Sequence, residues 1–288
     1  MDVKNIVEKR VIEEIKKYPS FKKALIAISG GKDSASLLYI IRTFFPDKEI
    51  IPVHLNLGIN GFSEKSEEFA RMQAEENGLE LVVFDLKKEL GFTIMDAKKL
   101  YPKVCSVCGS IKRYLLNKIA YESDVDIVLT AHHLDDFLVR MLKSVLNAEI
   151  EELIRFKPYL PKNENLIAKG RPFWKIPESL ILRYASLQGF SFINEKCPIG
   201  IKKNIEKLRK AIEILTSNEN QKNVYLSSLV KIARILEKTV DPEKIQLKPC
   251  SYCGFLSSNV ICSFCVRVNK IRSFIQRQNS KQTGLFLT

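Results

Sequence analysis

The chain has 288 residues, 45% of them hydrophobic and 27% charged, with a formal net charge of +13. That is the make-up of a folded globular protein rather than a disordered or collagenous one, and it contains no run of about 18 apolar residues, which excludes a membrane-spanning helix. The charged start, MDVKNIVEKRVIEEIKK, resembles neither a signal nor a transit peptide, so a cytoplasmic protein is expected, whose seven cysteines read as metal or reactive sites rather than disulfides.

In chain order, residues 3–17 predict an amphipathic helix. The apolar run 24–29, ended by Gly30 and Gly31, predicts a buried strand, and a helix follows over 33–44. A strand over 49–56 leads to a helix over 63–77, stopped by Gly78. A third strand (79–84), a helix (110–121), a fourth strand (126–130) and a helix (134–147) continue the alternation. Residues 166–168 offer a fifth strand, and from Pro177 the pattern is mostly helical. Strands alternating with helices predict an α/β fold with a doubly wound parallel sheet.

Residues 29–34 read SGGKDS. The loop lies between a strand and a helix start, where free backbone N–H groups favour anions. Gly30 and Gly31 let the backbone approach a phosphate, Lys32 adds charge, and Ser29 and Ser34 add hydroxyls. The G-x-x-x-x-G-K-[ST] spacing is absent, and a plain strand-to-helix turn is the bland alternative.

Cys105 and Cys108 form a Cys-x-x-Cys ahead of a basic helix carrying Lys112 and Arg113. Such a pair is half a zinc site, a redox pair or part of an iron–sulfur site. If Ser110 caps the helix, its positive end lowers the thiol pKa. Thr130 to Asp136, TAHHLDD, closes the fourth strand at the carboxyl edge, where open sheets bind ligands. Residues 29–34, Leu55 and 131–136 should converge there. Asp135 reads as a first-turn acid and Asp136 as a functional one. His54 reads as a satisfied strand residue, and His132 and His133 as crevice lining at best. Cys197 stands alone in NEKCPIG, whose flanks suit an exposed turn rather than a core. Cys250, Cys253, Cys262 and Cys265 form two Cys-x-x-Cys knuckles in CSYCGFLSSNVICSFC. Four thiolates so spaced suit tetrahedral Zn²⁺, with a second iron–sulfur cluster or a redox pair as alternatives.

SGGKDS after a first strand resembles the PP-loop of the ATP pyrophosphatase family. That implies cleavage of ATP to AMP and pyrophosphate while a substrate carbonyl or ureido oxygen is activated. The ordered series SGGKDS, CSVCGSIKRYLL, AHHLDD, RPFWKIPESLILRYA and KCPIG, over residues 22–200, is similar to the tRNA 2-thiolation branch of that family, the TtuA/TtcA group. The resemblance implies ATP contacts at Ala27, Ile28, Ser29, Gly30, Gly31, Lys32, Asp33, Ser34, the backbone of Leu55, Lys112, Ala131 and Asp136. It implies catalytic roles for Lys112 and Asp136, Mg²⁺ beside the phosphates, and a [4Fe-4S] cluster on Cys105, Cys108 and Cys197 with one iron left open. The terminal four-cysteine finger, expected to hold Zn²⁺, is similar to that of TtuA-like members. The chain departs from them at its start, where a charged helix stands in place of their N-terminal zinc finger.

The expected activity is therefore ATP-dependent 2-thiolation of a tRNA uridine, with 2-thiocytidine synthesis, an AMP-forming amide ligase and a non-catalytic zinc-finger RNA-binding protein as alternatives. The implied partners are tRNA and a sulfur donor, either a ubiquitin-like sulfur-carrier protein or inorganic sulfide; a homodimer is left open and no membrane is expected. Four parts follow: a helix (1–20), a PP-loop catalytic domain with the iron–sulfur site (21–200), a helical segment (201–245), and a zinc finger with a basic tail (246–288). A basic chain attracts polyanions. Lys202, Lys203, Lys207, Arg209 and Lys210 form one candidate RNA surface, and Lys270, Arg272, Arg277 and Lys281 with Phe274 another. A solvated basic helix is the alternative for each.

Overall fold

A computed structural model describes residues 2–199, 203–240 and 246–284, without the side chains of 203, 204 and 281–284. Lys202 and the side chains of Lys203 and Lys281 thus lie outside the described residues.

Strands β1 (Lys23–Ala27), β2 (Glu49–Asn56), β3 (Val82–Asp85), β4 (Ile127–Leu129), β5 (Tyr159–Leu160) and β6 (Ala168–Gly170) form one sheet in the order β3-β2-β1-β4-β6-β5. All pairings are parallel except that of β5 with β6. In β1 the residues Ala24, Leu25 and Ile26 are all buried, as a strand covered on both faces requires. Ala24 and Ile26 pack with Leu37, Leu38 and Ile41 of α2 (Lys32–Phe44) and with α1 (Val3–Ile15). Leu25 faces the other way, with Val53, Val128 and the Ile119–Ala120 turn of α6 (Val104–Glu122).

Helix α1 buries Val3, Val7, Val11 and Ile15 at one-turn intervals in the same core as Ile181 and Tyr184 of α9 (Glu178–Gln188). Helix α3 (Phe62–Glu76) follows β2, and short helices α4 (Leu86–Leu90) and α5 (Ile94–Leu100) follow β3. Helices α7 (Leu134–Leu146), α8 (Ile150–Arg155), α10 (Lys203–Leu215) and α11 (Glu219–Thr239) share a second core around Phe137, Leu153, Ile212 and Leu226. The chain then forms a small hairpin, β7 (Lys248–Pro249) and β8 (Leu256–Ser257), and the long helix α12 (Ser263–Gly284).

The largest departure from the sequence reading is α6, which starts six residues before Ser110. Val104, Val107, Ile111 and Leu115 recur on one face and bury against α5 and α12, which draws the Cys-x-x-Cys into the helix. Ser110 is not a cap: it is buried nearly two turns in, and its hydroxyl donates to Val107 O at 2.8 Å. The edge strand β5 also escaped, because two residues carry no periodicity.

Candidate nucleotide and metal sites

The phosphate loop is held in shape from within. Ser29 N–H donates to Ser34 Oγ (3.1 Å), Ser34 Oγ donates to Gly31 O (3.0 Å), and Ser66 Oγ donates to Ser29 O (2.7 Å). Gly30 has φ +72°, and a Cβ there would sit 2.4 Å from Ser66 O, so only glycine fits. Helix α2 starts at Lys32 with no side-chain cap, which leaves its first N–H groups for an anion.

Around this loop the chain gathers one connected charge network. Lys32 Nζ lies 3.2 Å from Asp33 Oδ2 and 3.0 Å from Glu178 Oε1. Arg209 bridges Glu178 Oε2 (2.7 Å) and Asp136 Oδ1 (3.2 Å). The buried His133 ring places Nε2 3.4 Å from Asp136 Oδ2. Burial opposes the charge on Glu178, yet Lys32 and Arg209 outweigh it and bring its pKa down to about 2. Asp33 goes the other way: burial raises it beyond what Lys32 offsets, and its Oδ1 is buried without a partner.

Asp135 has a structural task. It accepts the Glu178 N–H (2.7 Å) at the start of α9 and pairs with Lys222 Nζ (2.6 Å). His54 is a buried strand residue with Nδ1 2.9 Å from Ile28 O, but its Nε2 is buried without a partner, so only one ring nitrogen is satisfied. Lys112 is exposed on α6, close enough to His54 to oppose its protonation after burial has already done so. Leu55 near the carboxyl end of β2, Ala27 at the end of β1 and Ala131 after β4 are half-buried on the same sheet edge.

Cys105 and Cys108 occupy the first two turns of α6, and Cys105 Sγ lies 3.5 Å from Ile199 O, beside the segment of Cys197. All three thiols are half-buried, and Cys108, Cys197 and Ile199 flank one apolar cluster. Among the described residues these sulfurs form no set as tight as that of the C-terminal four.

Those four converge. The sulfurs of Cys250, Cys253, Cys262 and Cys265 all lie within 4.8 Å of one another, with Cys253 and Cys262 at 3.7 Å. A tetrahedral ion with bonds of about 2.3 Å needs sulfurs about 3.8 Å apart, so the set fits one metal ion. Cys250 Sγ also accepts N–H bonds from Cys262 (3.2 Å) and Tyr252 (3.4 Å), which outweigh burial and bring its thiol down to about 6. The knuckle is docked on the body. Phe264 stacks on Tyr114 of α6 at 3.6 Å, and Val268 and Ile271 of α12 join the Val104–Val107–Ile111 cluster.

Residues 3–212 match the PP-loop domain family. Two tRNA-5-methyluridine(54) 2-sulfurtransferases are similar over most of their length. That of Pyrococcus horikoshii is 34% identical over 89% of this chain and 81% of its own. That of Thermus thermophilus is 32% identical over 85% and 75%. The chain belongs to the PP-loop family, in the branch of these sulfurtransferases. The fold also matches the U34-tRNA thiolase NcsA of Methanococcus maripaludis, a structure with its [4Fe-4S] cluster, at a TM-score of 0.77 over 93% of this chain and 88% of that one, with 23% identity.

Within this PP-loop chain two network members escaped sequence reasoning. Glu178 lay unremarked inside RPFWKIPESL, where its place directly after Pro177 at a helix start was the available signal. Arg209, expected on an RNA surface, is instead tied to Glu178 and Asp136, because α10 folds back over α7.

Proposed function

We propose that this protein is an ATP-dependent tRNA 2-thiolase that replaces the C2 oxygen of a uridine with sulfur. The carrying observation is the approach of Cys105 Sγ to Ile199 O at 3.5 Å, which puts the Cys-x-x-Cys beside the Cys197 segment. In a doubly wound sheet the start of α6 lies at the same carboxyl edge as the phosphate loop. The names of the relatives support the activity, and that of the structural neighbour supports a [4Fe-4S] cluster, which in this reading sits on Cys105, Cys108 and Cys197. Half-buried thiols on an apolar wall, more widely set than ligands of a single ion, suit such a cluster. The knuckle sulfurs suit Zn²⁺.

The N–H groups of residues 29–34 hold the ATP phosphates, and Lys32 turns from Glu178 toward them. The orphaned Oδ1 of Asp33, with Asp136, would hold Mg²⁺, which offsets polyphosphate charge. The target base must leave its stack to reach the crevice. Its C2 oxygen then bonds to the α-phosphorus as the bond to pyrophosphate breaks. Lys112 stabilises the charge that develops. Hydrosulfide adds to C2, the C2–O bond breaks, and AMP leaves with the original oxygen. Cys105, Cys108 and Cys197 would hold the cluster, which would supply Lewis-acid chemistry toward the incoming sulfur. The donor is a ubiquitin-like carrier or inorganic sulfide, and the setting is the cytoplasm. Uridine 54 is the first position to examine, since three relatives above 30% identity are named for it.

Anaerobic protein with labelled ATP, tRNA and sulfide should yield AMP, pyrophosphate and 2-thiouridine, read by mass spectrometry of the nucleosides. ADP and phosphate as products would overturn the reading. 2-Thiocytidine would move the target to cytidine.

A further inference from the structure

A second charged cluster lies beside the crevice and takes no part in the chemistry above. Its members are Arg113 on α6, Arg140 on α7, Lys169 on β6 and Arg171 just beyond it. Strand alternation puts Ile167, Lys169 and Arg171 on one face. Ile167 packs there with Val128, Ile119 and Ala120, so this is the face that α6 covers, opposite to α2. Arg113 stands midway along α6, and its charge is felt at both Lys169 and Arg171.

One aromatic ring gathers two of the cations. The guanidinium carbon of Arg140 lies 4.8 Å from the centre of Phe156, and that of Arg171 lies 5.1 Å from it. Arg171 is further fixed by its backbone N–H to Tyr18 Oη (3.2 Å) and by Nη1 to Lys157 O, while its Nε is buried with no partner. Among the described residues no carboxylate pairs with any of the four. Of the nearby acids, Asp136 and Glu178 are engaged by Arg209 and Asp135 by Lys222, while Glu152 on α8 acts on Arg113 against the stronger repulsion from Arg140. The crowding is felt: burial first, then Arg171 and Arg113, bring Lys169 down to about 8. Four cations with a single acid, Glu152, acting at their edge are a poor way to build a core and a good way to hold an anion.

We propose that Arg113, Arg140, Lys169 and Arg171 form a pocket that grips a backbone phosphodiester of the RNA next to the target nucleotide. The inference rests on the thiolase reading and adds to it how the strand is aimed. Guanidinium forks match two phosphate oxygens at once. The ATP polyphosphate already has its loop at the start of α2, on the other side of the sheet. Exposure grades from Arg113, which is open, to half-buried Lys169 and Arg171, so the pocket admits a phosphate arriving from outside on a strand. Fixing one phosphate beside an extruded nucleotide sets how far its base reaches toward Lys112 and Asp136.

The test uses full-length metal-loaded protein, a fluorescein-labelled unmodified tRNA transcript, and the variants Lys169→Gln, Lys169→Arg and Arg113→Gln/Lys169→Gln. None of these side chains has a packing task like that of Arg171. The double variant should bind tRNA at least about tenfold more weakly, with a log-affinity against log-salt slope shallower by about one. ATP affinity should be unchanged, and Lys169→Arg should keep wild-type tRNA affinity. Unchanged tRNA affinity and slope in the double variant overturn the pocket while leaving the thiolase reading intact. Loss of ATP affinity with unchanged tRNA binding also overturns it, assigning the cations to the polyphosphate. Failure of the wild type to bind tRNA overturns the thiolase reading itself.

Discussion

The two cysteine regions are built in opposite ways. The knuckle brings four sulfurs within 4.8 Å of one another, buries three of its four cysteines and feeds backbone N–H groups onto them. The crevice set spreads three half-buried thiols over the start of α6 and a distant segment, beside exposed Lys112 and Arg113. A closed, self-satisfied set suits a structural ion, and an open one suits a reactive group with a position to spare. Yet the two are coupled, because α12 leaves the knuckle and packs its Val268 and Ile271 on the α6 turns that carry Cys105 and Cys108.

The sharpest break of this contrast is Cys108→Ser. Anaerobically prepared protein should carry about four irons and one zinc per chain. The variant should lose the iron and all thiolation while keeping the zinc, as metal analysis would show. Full thiolation by rigorously iron-free protein would instead favour a persulfide relay between these thiols.

Next in size is Lys32→Ala. Lys32 joins the phosphate loop to Glu178 but is not part of the core. Removing one preorganised charge at the phosphates should cost about 10²- to 10³-fold in pyrophosphate release with little change in Tm. A loss below threefold would show that the loop amides suffice.

Cys262→Ser tests the coupling. Loss of the ion should release α12 from α6, exposing Val268 and Ile271 and undoing the Tyr114–Phe264 stack. Two such side chains are worth about 1.5–3 kcal/mol each, so Tm should fall by about 6–10 °C. Iron retention should fall as well. A variant that sheds zinc and keeps both Tm and iron would make the knuckle an independent appendage.

The difference between the two regions also decided what the sequence made legible. Glycine spacing, strand–helix alternation and paired Cys-x-x-Cys motifs are local, and from them the parallel sheet, the loop at 29–34 and the four-cysteine knuckle were all readable. Strand β2 was placed at 49–56, where it is found. What escaped depends on contacts distant in sequence. The start of α6 at Val104 is fixed by burial against α5 and α12, and Ser110 misled as a cap. Arg209 read as one more lysine-rich surface cation until the fold laid α10 across α7. The basic pocket draws on α6, α7 and β6, and no stretch of sequence contains it.

The smallest expected effect concerns Glu178. Its carboxyl is held at about 2 in the folded protein, because Lys32 and Arg209 outweigh its burial, against about 4.3 in an unfolded chain. A depressed carboxylate adds stability above its unfolded value, and that stability is lost as pH falls through the folded one. Glu178 is 37% exposed, so solvent screens the pairs and leaves a contribution of roughly 1 kcal/mol or less. Glu178→Gln should therefore lower Tm by at most about 2 °C at pH 7, and the gap from wild type should narrow below pH 4 and close near pH 2. Loss of the knuckle's metal in acid affects both proteins alike and cancels in the difference. A gap that stays constant across this range would mean that the glutamine disturbs the start of α9, where Glu178 N–H meets Asp135, rather than the charge network around Lys32.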